Sequence, residues 1–445
     1  MSIQPVQRVM SDTLDYLDIE GGRNLSGTIR VSGAKNSCLP IMAASLLTAG
    51  TSYIENVPRL RDVFTLIKVL ESLNARVDWT GSDSLKIDTI DVNRYEPDIS
   101  LVRQMRASVL VLGPLVARFG YAVMPSPGGC SLGTRPVDMH FDGMQSLGAI
   151  IEPNHEATVI RTDNASKLHG ETIRLGFPSV GATENIMMAA SLAVGTTTIE
   201  NAAKEPEILD LAEFLLSMGA IITGAGEDKI TITGVSELHP SKHKVIPDRV
   251  EAATYMIACG ITAGNIKLTN VRPDHMTATL EILSASGCRI TTEPETISVD
   301  APDVIRPVDI RTLPYPGFST DVQPPFMAMM TKASGESIFV EKIFERRLLV
   351  ANELVRMGAE VRVVENCALV NGGRRLRGCE VNAPDIRAAA ALVIGGLWAD
   401  GRTRIRGLNH LYRGYEDIVS KLRSLGAMVE EGAAPVNSIS EASGA

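Results

Sequence analysis

The chain has 445 residues, 44% hydrophobic and 21% charged, with a formal net charge of −9; it is long enough for two or three buried cores, and too acidic for sequence-independent binding to nucleic acid. Its six cysteines show no paired or metal-like spacing, which fits a reducing compartment and argues against a zinc site. Residues 1–20 lack an apolar signal-peptide core, and the longest apolar runs, 107–117 and 388–399, are too short to cross a bilayer, so a cytoplasmic protein with no membrane insertion is expected.

In chain order, an N-terminal strand over Thr28–Val31 precedes the first of six copies of one unit. Each unit opens with an apolar, alanine-rich helix ending near Gly50, Gly120, Gly195, Gly264, Gly335 or Gly401, and a strand such as Thr51–Asn56 or Thr196–Asn201 follows. An amphipathic helix then ends in Gly-Ala or a near match. These second markers begin at residues 73, 147, 218, 286, 357 and 425, in steps of 74, 71, 68, 71 and 68. Glycine suits the end of a helix because it has no Cβ to penalise a positive φ. The first helix of each unit is apolar nearly all round and is expected to be buried, with the amphipathic helix covering it. Six units of about 70 residues exceed the usual solenoid repeat and fit two groups of three. The expected crossings lie near Ala34 and at the polar stretch 241–247. The end of the chain from Glu430 is rich in Ala, Ser, Glu and Gly, and residues 436–445 are expected to be a disordered tail.

The fourteen residues 125–138 hold three glycines and three prolines and read as a loop, with Cys130 inside it. A cysteine there is reachable by solvent, and Arg135 favours its thiolate. The other five, Cys38, Cys259, Cys288, Cys367 and Cys379, lie in apolar or strand-like runs and read as packing.

The buried helices begin with charge: Lys35-Asn36, Arg106, Ser179-Val180-Gly181, Asp248-Arg249, Asp321 and Asp385-Ile386-Arg387. An Asp there reads first as a cap. A Lys or Arg opposes the helix dipole, so Lys35 and Arg106 point to a bound anion. With Arg135, Arg347 and Arg413 they can line a site for phosphates and carboxylates. No Gly-x-x-x-x-Gly-Lys-Ser/Thr or Gly-x-Gly-x-x-Gly loop is present.

Ser32–Asn36, Met105–Ser108, the Cys130 loop, Ser179–Thr183, Phe318–Asp321, Phe344-Glu345, Asp385–Arg387 and Arg413–Glu416 together resemble UDP-N-acetylglucosamine enolpyruvyl transferase, from about Leu17 to Glu430. The resemblance implies an α/β fold of two inside-out α/β barrels, three units each, with helices inside and sheets outside. One globule would span 37–247 and carry the Cys130 loop. The other would span 1–36 plus 248–435 and carry Asp321 and Arg413.

The resemblance further implies transfer of the enolpyruvyl group of phosphoenolpyruvate to the 3-hydroxyl of UDP-N-acetylglucosamine, the first committed step of peptidoglycan synthesis. It implies no cofactor, no metal, and sensitivity to fosfomycin. By motif, Cys130 is the general acid, Asp321 the base and Lys35 a catalytic cation. Lys35, Asn36, Arg135, Arg347, Arg387 and Arg413 would hold phosphoenolpyruvate. Arg106, Arg135, Pro136, Val137, Asp138, Met139, Phe177, Pro178, Ser179, Val180, Asp321 and Ile343 would hold the nucleotide sugar, with Glu205, Asp248, Glu345 and Asp385 in support. Tyr412 and Arg346 depart from the Asp and Asn common in the family, leaving UMP as an alternative acceptor.

Overall fold

In the computed structural model of this chain the described residues are 15–125, 137–154, 156–163 and 167–433. Cys130, Arg135, Pro136 and the 436–445 tail lie outside them.

Six apolar helical segments occupy the interior: Lys35–Ala44, the 3-10 turn Arg106–Val111 running into Leu112–Phe119, Val180–Ala190, Arg249–Ile261, Gln323–Met330 and Ile386–Trp398. Small side chains let them touch. A Cβ built on Gly113 would stand 2.5 Å from the carbonyl oxygen of Asn185, so two helices meet there backbone to backbone. The amphipathic helices Arg61–Ser72, Asp138–Ser146, Pro206–Ser217, Thr277–Ala285, Val350–Arg356 and Ile418–Ser424 pair with them, one per unit.

Sheets cover the outside. Within a unit the strand after the buried helix pairs antiparallel with the unit's last strand, and that one pairs with the strand between them, as in Thr51–Glu55, Ser84–Asp88 and Arg76–Trp79. In five units a short strand joins on the open side in parallel. Ser26–Arg30, for example, pairs with Asn265–Thr269, and Lys242–Lys244 with Thr51–Glu55. The last sheet is closed by the start of the chain: Tyr16–Glu20 lies between Arg402–Arg406 and Met428–Gly432.

The repeat's punctuation has the expected cause. Gly148, Gly219, Gly287, Gly358 and Gly426 all have φ between 92° and 106°, and Asn74 takes their place in the first unit at φ 70°. In unit four the left-handed residue at the end of the buried helix is Ala263 (φ 51°), one position before the glycine expected there.

The buried apolar side chains form two clusters. One gathers Ala34 to Val245; the other gathers Leu17 to Val31 with Val250 to Val429. The chain passes between them twice, side by side: Gly33 bridges Pro247, Ala34 N–H donates to the Ile246 carbonyl at 2.7 Å, and Asp248 N–H donates to the Ser32 carbonyl at 2.9 Å.

Candidate active site at the seam of the two cores

The helix starts at Lys35, Asp248, Asp321 and Asp385 collect where the two cores meet. Lys35 is the first residue of its helix and is 7% exposed. Its Nζ donates to Asp62 Oδ2 at 3.0 Å, and Arg413 Nε, from the other core's side, donates to Asp62 Oδ1 at 2.7 Å. The anion that the position of Lys35 calls for is thus supplied by the protein itself. Burial would raise the Asp62 carboxyl, but Lys35 and Arg413 together outweigh it and hold it below the ordinary range. Asp248 Oδ2 accepts from the Lys35 backbone N–H at 3.4 Å, and its Oδ1 caps Val250 and Glu251 at 2.8 and 2.9 Å.

Asp385 caps its helix too, through the Arg387 and Ala388 N–H groups at 2.8 and 3.1 Å. Asp321 does not. The helix starts two residues later, at Gln323, and the Asp321 carboxylate is taken instead by two arginines: Arg347 on Oδ1 at 2.7 Å and Arg387 on Oδ2 at 2.9 Å. Arg347 is 1% exposed, and also reaches Asp385 at 3.4 Å and Thr320 Oγ1 at 3.2 Å. Arg387 is held from behind by Tyr415, whose hydroxyl accepts at 3.3 Å and in turn meets Thr254 Oγ1 at 3.1 Å. Burial would raise the Asp321 carboxyl; Arg387, Arg347 and the more distant Lys35 hold it well below the usual aspartate range.

A second grouping forms inside the first core. His140, on the helix that begins at Asp138, meets Asn185 Nδ2 through Nδ1 at 2.8 Å. Asn185 Nδ2 also donates to the Val109 carbonyl at 2.9 Å, and its Oδ1 accepts from Gly113 N–H at 2.8 Å. With both amide protons of Asn185 engaged, Nδ1 of His140 is the acceptor and Nε2 carries the hydrogen. Burial first, then the charge of Arg106, push His140 down to about 4. The ring lies against the start of the next buried helix, 3.1 Å from a Cβ built on Gly181, beside Val180 and the capping Ser179. Arg106, Asp138, Met139, Ser179 and Val180 are thereby carried by three segments that share one hydrogen-bonded centre. Phe177 is 41% exposed just before them, with Pro178 between.

The remaining candidates differ in exposure. Asn36 is exposed, Val137 and Ile343 are half-buried, and Glu345 is exposed on the loop leading to Arg347. Glu205 precedes the Pro206–Ser217 helix; burial raises its carboxyl, against the pull of Arg249. Of the two departures from the family pattern, Tyr412 turns its hydroxyl to Glu431, in the last strand, and Arg346 is exposed.

The sequence reading missed Asp62, Glu207 and Glu341, and the partner of Arg249. Asp62 reads as an ordinary acid in the first turn of an amphipathic helix. Glu207 and Arg249 form a bidentate pair across the seam, at 3.0 and 3.2 Å, with no local signal for it. Glu341, discussed below, follows a plain strand. Among the described residues no cluster of His, Cys, Asp and Glu suits a metal ion, and no helix is long and apolar enough to cross a membrane.

The profile of the EPSP synthase family (3-phosphoshikimate 1-carboxyvinyltransferase) matches residues 19–422. The chain is 47% identical to the UDP-N-acetylglucosamine 1-carboxyvinyltransferase of Desulfosudis oleivorans over 416 residues, 94% of this chain and 99% of that one. It is 48% identical to the protein of the same name from Gloeobacter violaceus over 430 residues, 96% of this chain and 93% of that one. Among solved structures it superposes on the enolpyruvyl transferase NikO from Streptomyces tendae with a TM-score of 0.86 at 26% identity, over 95% of this chain and 100% of that one. The EPSP synthase of Acinetobacter baumannii, at 18% identity, shares the fold with a TM-score of 0.74, over 94% of this chain and 100% of that one. This chain therefore belongs to the EPSP synthase family, and within it to the UDP-N-acetylglucosamine 1-carboxyvinyltransferases.

Proposed function

We propose that this enzyme transfers the enolpyruvyl group of phosphoenolpyruvate to the 3-hydroxyl of UDP-N-acetylglucosamine and releases phosphate, as a cytoplasmic step of peptidoglycan synthesis. The observation that carries the reading is the convergence of Lys35, Arg347, Arg387 and Arg413 on two carboxylates, Asp62 and Asp321, at the seam of the two cores. A phosphate and a carboxylate on one small substrate suit such a set, since arginine forks match both groups.

In this reading the two cores are two globules, 37–247 and 1–36 plus 248–435, each an inside-out barrel, and the substrates lie between them. The nucleotide sugar is placed by Arg106, Asp138, Met139, Ser179, Val180 and Ile343, together with the 135–136 segment. Phosphoenolpyruvate takes the cations. Cys130, assigned by resemblance alone, gives a proton to the methylene carbon, and C2 becomes electron-poor. The sugar hydroxyl attacks C2 and its proton passes to Asp321. A proton returns from the new methyl to the Cys130 thiolate and phosphate leaves C2, carrying off the hydroxyl proton held by Asp321; the double bond is restored, and the enol ether and phosphate are the only products.

The geometry at Asp321 adds a condition. A carboxylate clasped by two arginines is a weak base. Asp321 becomes competent when the substrate's anionic groups draw Arg347 and Arg387 away, so binding one substrate arms the base for the other. The test is phosphate release with phosphoenolpyruvate and a panel of acceptors, with product mass. Release that depends on UDP-N-acetylglucosamine supports the reading; faster release with UMP overturns the choice of acceptor.

A further inference from the structure

Glu341 follows the strand Glu336–Val340 and is 3% exposed. Among the described residues no Lys, Arg or His pairs with it. Four neutral donors share its carboxylate instead. Oε1 accepts from Ile343 N–H at 2.8 Å, Phe344 N–H at 3.1 Å and Thr312 Oγ1 at 3.0 Å. Oε2 accepts from Thr320 Oγ1 at 3.0 Å.

The donors belong to two different parts of the site. Ile343 is proposed to lie along the nucleotide sugar, and Phe344 follows it. Thr320 precedes the proposed base, and its Oγ1 also receives Arg347 Nε at 3.2 Å, the same guanidinium that grips Asp321 at 2.7 Å. Glu341 is itself fixed. Its N–H donates to the Asn366 carbonyl at 2.8 Å, its carbonyl accepts from Asn366 Nδ2 at 3.0 Å, and Thr312 Oγ1, besides donating to it, accepts from Lys342 N–H at 2.8 Å. Burying a carboxyl group is costly unless its oxygens are hydrogen-bonded, and here those bonds tie together two segments of the site.

We infer that Glu341 is a positioning residue that sets the distance between the acceptor-binding backbone at Ile343 and the base at Asp321, one carboxylate oxygen to each. This rests on the proposed roles of Ile343 and Asp321. The two oxygens are separable by substitution. Glu341→Gln keeps an oxygen for the Ile343–Phe344 arm and presents an amide to Thr320. Thr320→Val removes only the arm towards Asp321 and Arg347. Glu341→Ala removes both.

The experiment is steady-state kinetics on the full-length chain with both substrates, alongside thermal melts, for these three variants and Asp321→Ala. Thr320→Val should lower kcat about tenfold with the KM for UDP-N-acetylglucosamine held within about threefold, and Glu341→Gln should likewise hold that KM, because the loss of one or two buried hydrogen bonds is confined to one arm. Glu341→Ala should raise that KM and lower kcat, each about tenfold. If Glu341→Ala fails to fold, the Gln and Val variants carry the test through the same split. Wild-type kinetic constants per folded molecule in these variants overturn the inference, and so does a uniform loss of both constants in Thr320→Val. If Asp321→Ala turns over like wild type, the functional reading falls and takes this inference with it. An inactive Asp321→Ala beside a kinetically normal Glu341→Ala overturns this inference alone.

Discussion

Arg413 donates to Asp62 at 2.7 Å across the seam between the two cores. The other oxygen of Asp62 holds Lys35 at 3.0 Å, so one carboxylate keeps two cations from different halves of the molecule in register. The contact is not isolated. Arg61 N–H donates to the Tyr412 carbonyl at 3.1 Å, and Arg59 N–H donates to Glu416 at 2.7 Å. The segment 412–416 is thereby docked along the start of the Arg61–Ser72 helix.

Replacing Asp62 by Ala should therefore strand two largely buried cations. We expect a loss of about 3 kcal/mol in unfolding free energy, typical of removing one partner from a buried ion pair. The KM for phosphoenolpyruvate should rise about tenfold with the misplacement of Lys35 and Arg413, the worth of a charged hydrogen bond. Urea melts and initial rates check both; an unchanged melt with unchanged KM refutes the role.

Asp321 gives a pH prediction with a definite sign. Its ordinary value is 3.8, and in the fold it lies well below that. In the window beneath 3.8 the unfolded chain binds the proton that the native protein refuses. Stability contributed by this group is complete above the window and is lost as pH falls through it. Asp321→Asn should flatten that part of the stability profile. In kinetics, because substrate draws the arginines off, the acid limb of kcat should lie at higher pH than that of kcat/KM. Coincident limbs would count against the arming of the base.

Glu184 slopes the other way. It is buried on the Val180–Ala190 helix, its Oε1 has no hydrogen-bond partner among the described residues, and burial, then Glu207 and Glu205, raise it well above its ordinary 4.5. The native state therefore holds a proton that the unfolded chain releases, and stability falls as pH rises from 4.5 towards the raised value. Glu184→Gln should be more stable than wild type at neutral pH and lose that advantage near pH 4. Chemical denaturation at the two pH values decides it.

The Arg249–Glu207 pair is another tie across the seam, with side chains 14% and 5% exposed. A double-mutant cycle with Arg249→Met and Glu207→Gln should give a coupling of about 0.5–3 kcal/mol, the range for groups in direct contact. A coupling near zero would mean that the two halves are held by other contacts.

Thiol reactivity should single out Cys130. Cys38, Cys259 and Cys288 are buried; burial drives the Cys38 thiol far up and pushes Cys259 up to about 12, so neither forms thiolate at neutral pH. Fosfomycin should form one adduct, on Cys130, and Cys130→Asp should keep turnover and escape it. Peptide mapping with an adduct on Cys38 or Cys259 instead would reverse the assignment.

The sequence by itself determined the repeat. A left-handed residue must end each helix, and only Gly, or Asn74 in the first unit, sits there cheaply, so the six-fold punctuation is visible as letters. It also marked the buried helices, because a helix apolar on every side has nowhere else to go. The capping bonds of Asp248 and Asp385 are local too, since a cap's bonds run to its own first turn, although Asp248 also meets Lys35 and Asp385 also meets Arg347. Asp321 looked the same in sequence and is different in space: its partners, Arg347 and Arg387, are 26 and 66 residues away. Asp62 meets Arg413 across 351 residues, and Glu341 meets Thr312 and Thr320 across 29 and 21. Which charge pairs with which depends on how two cores pack along a double crossing, and no periodicity along the chain encodes that, because ion pairs are set by proximity in the folded state and not by spacing in the sequence.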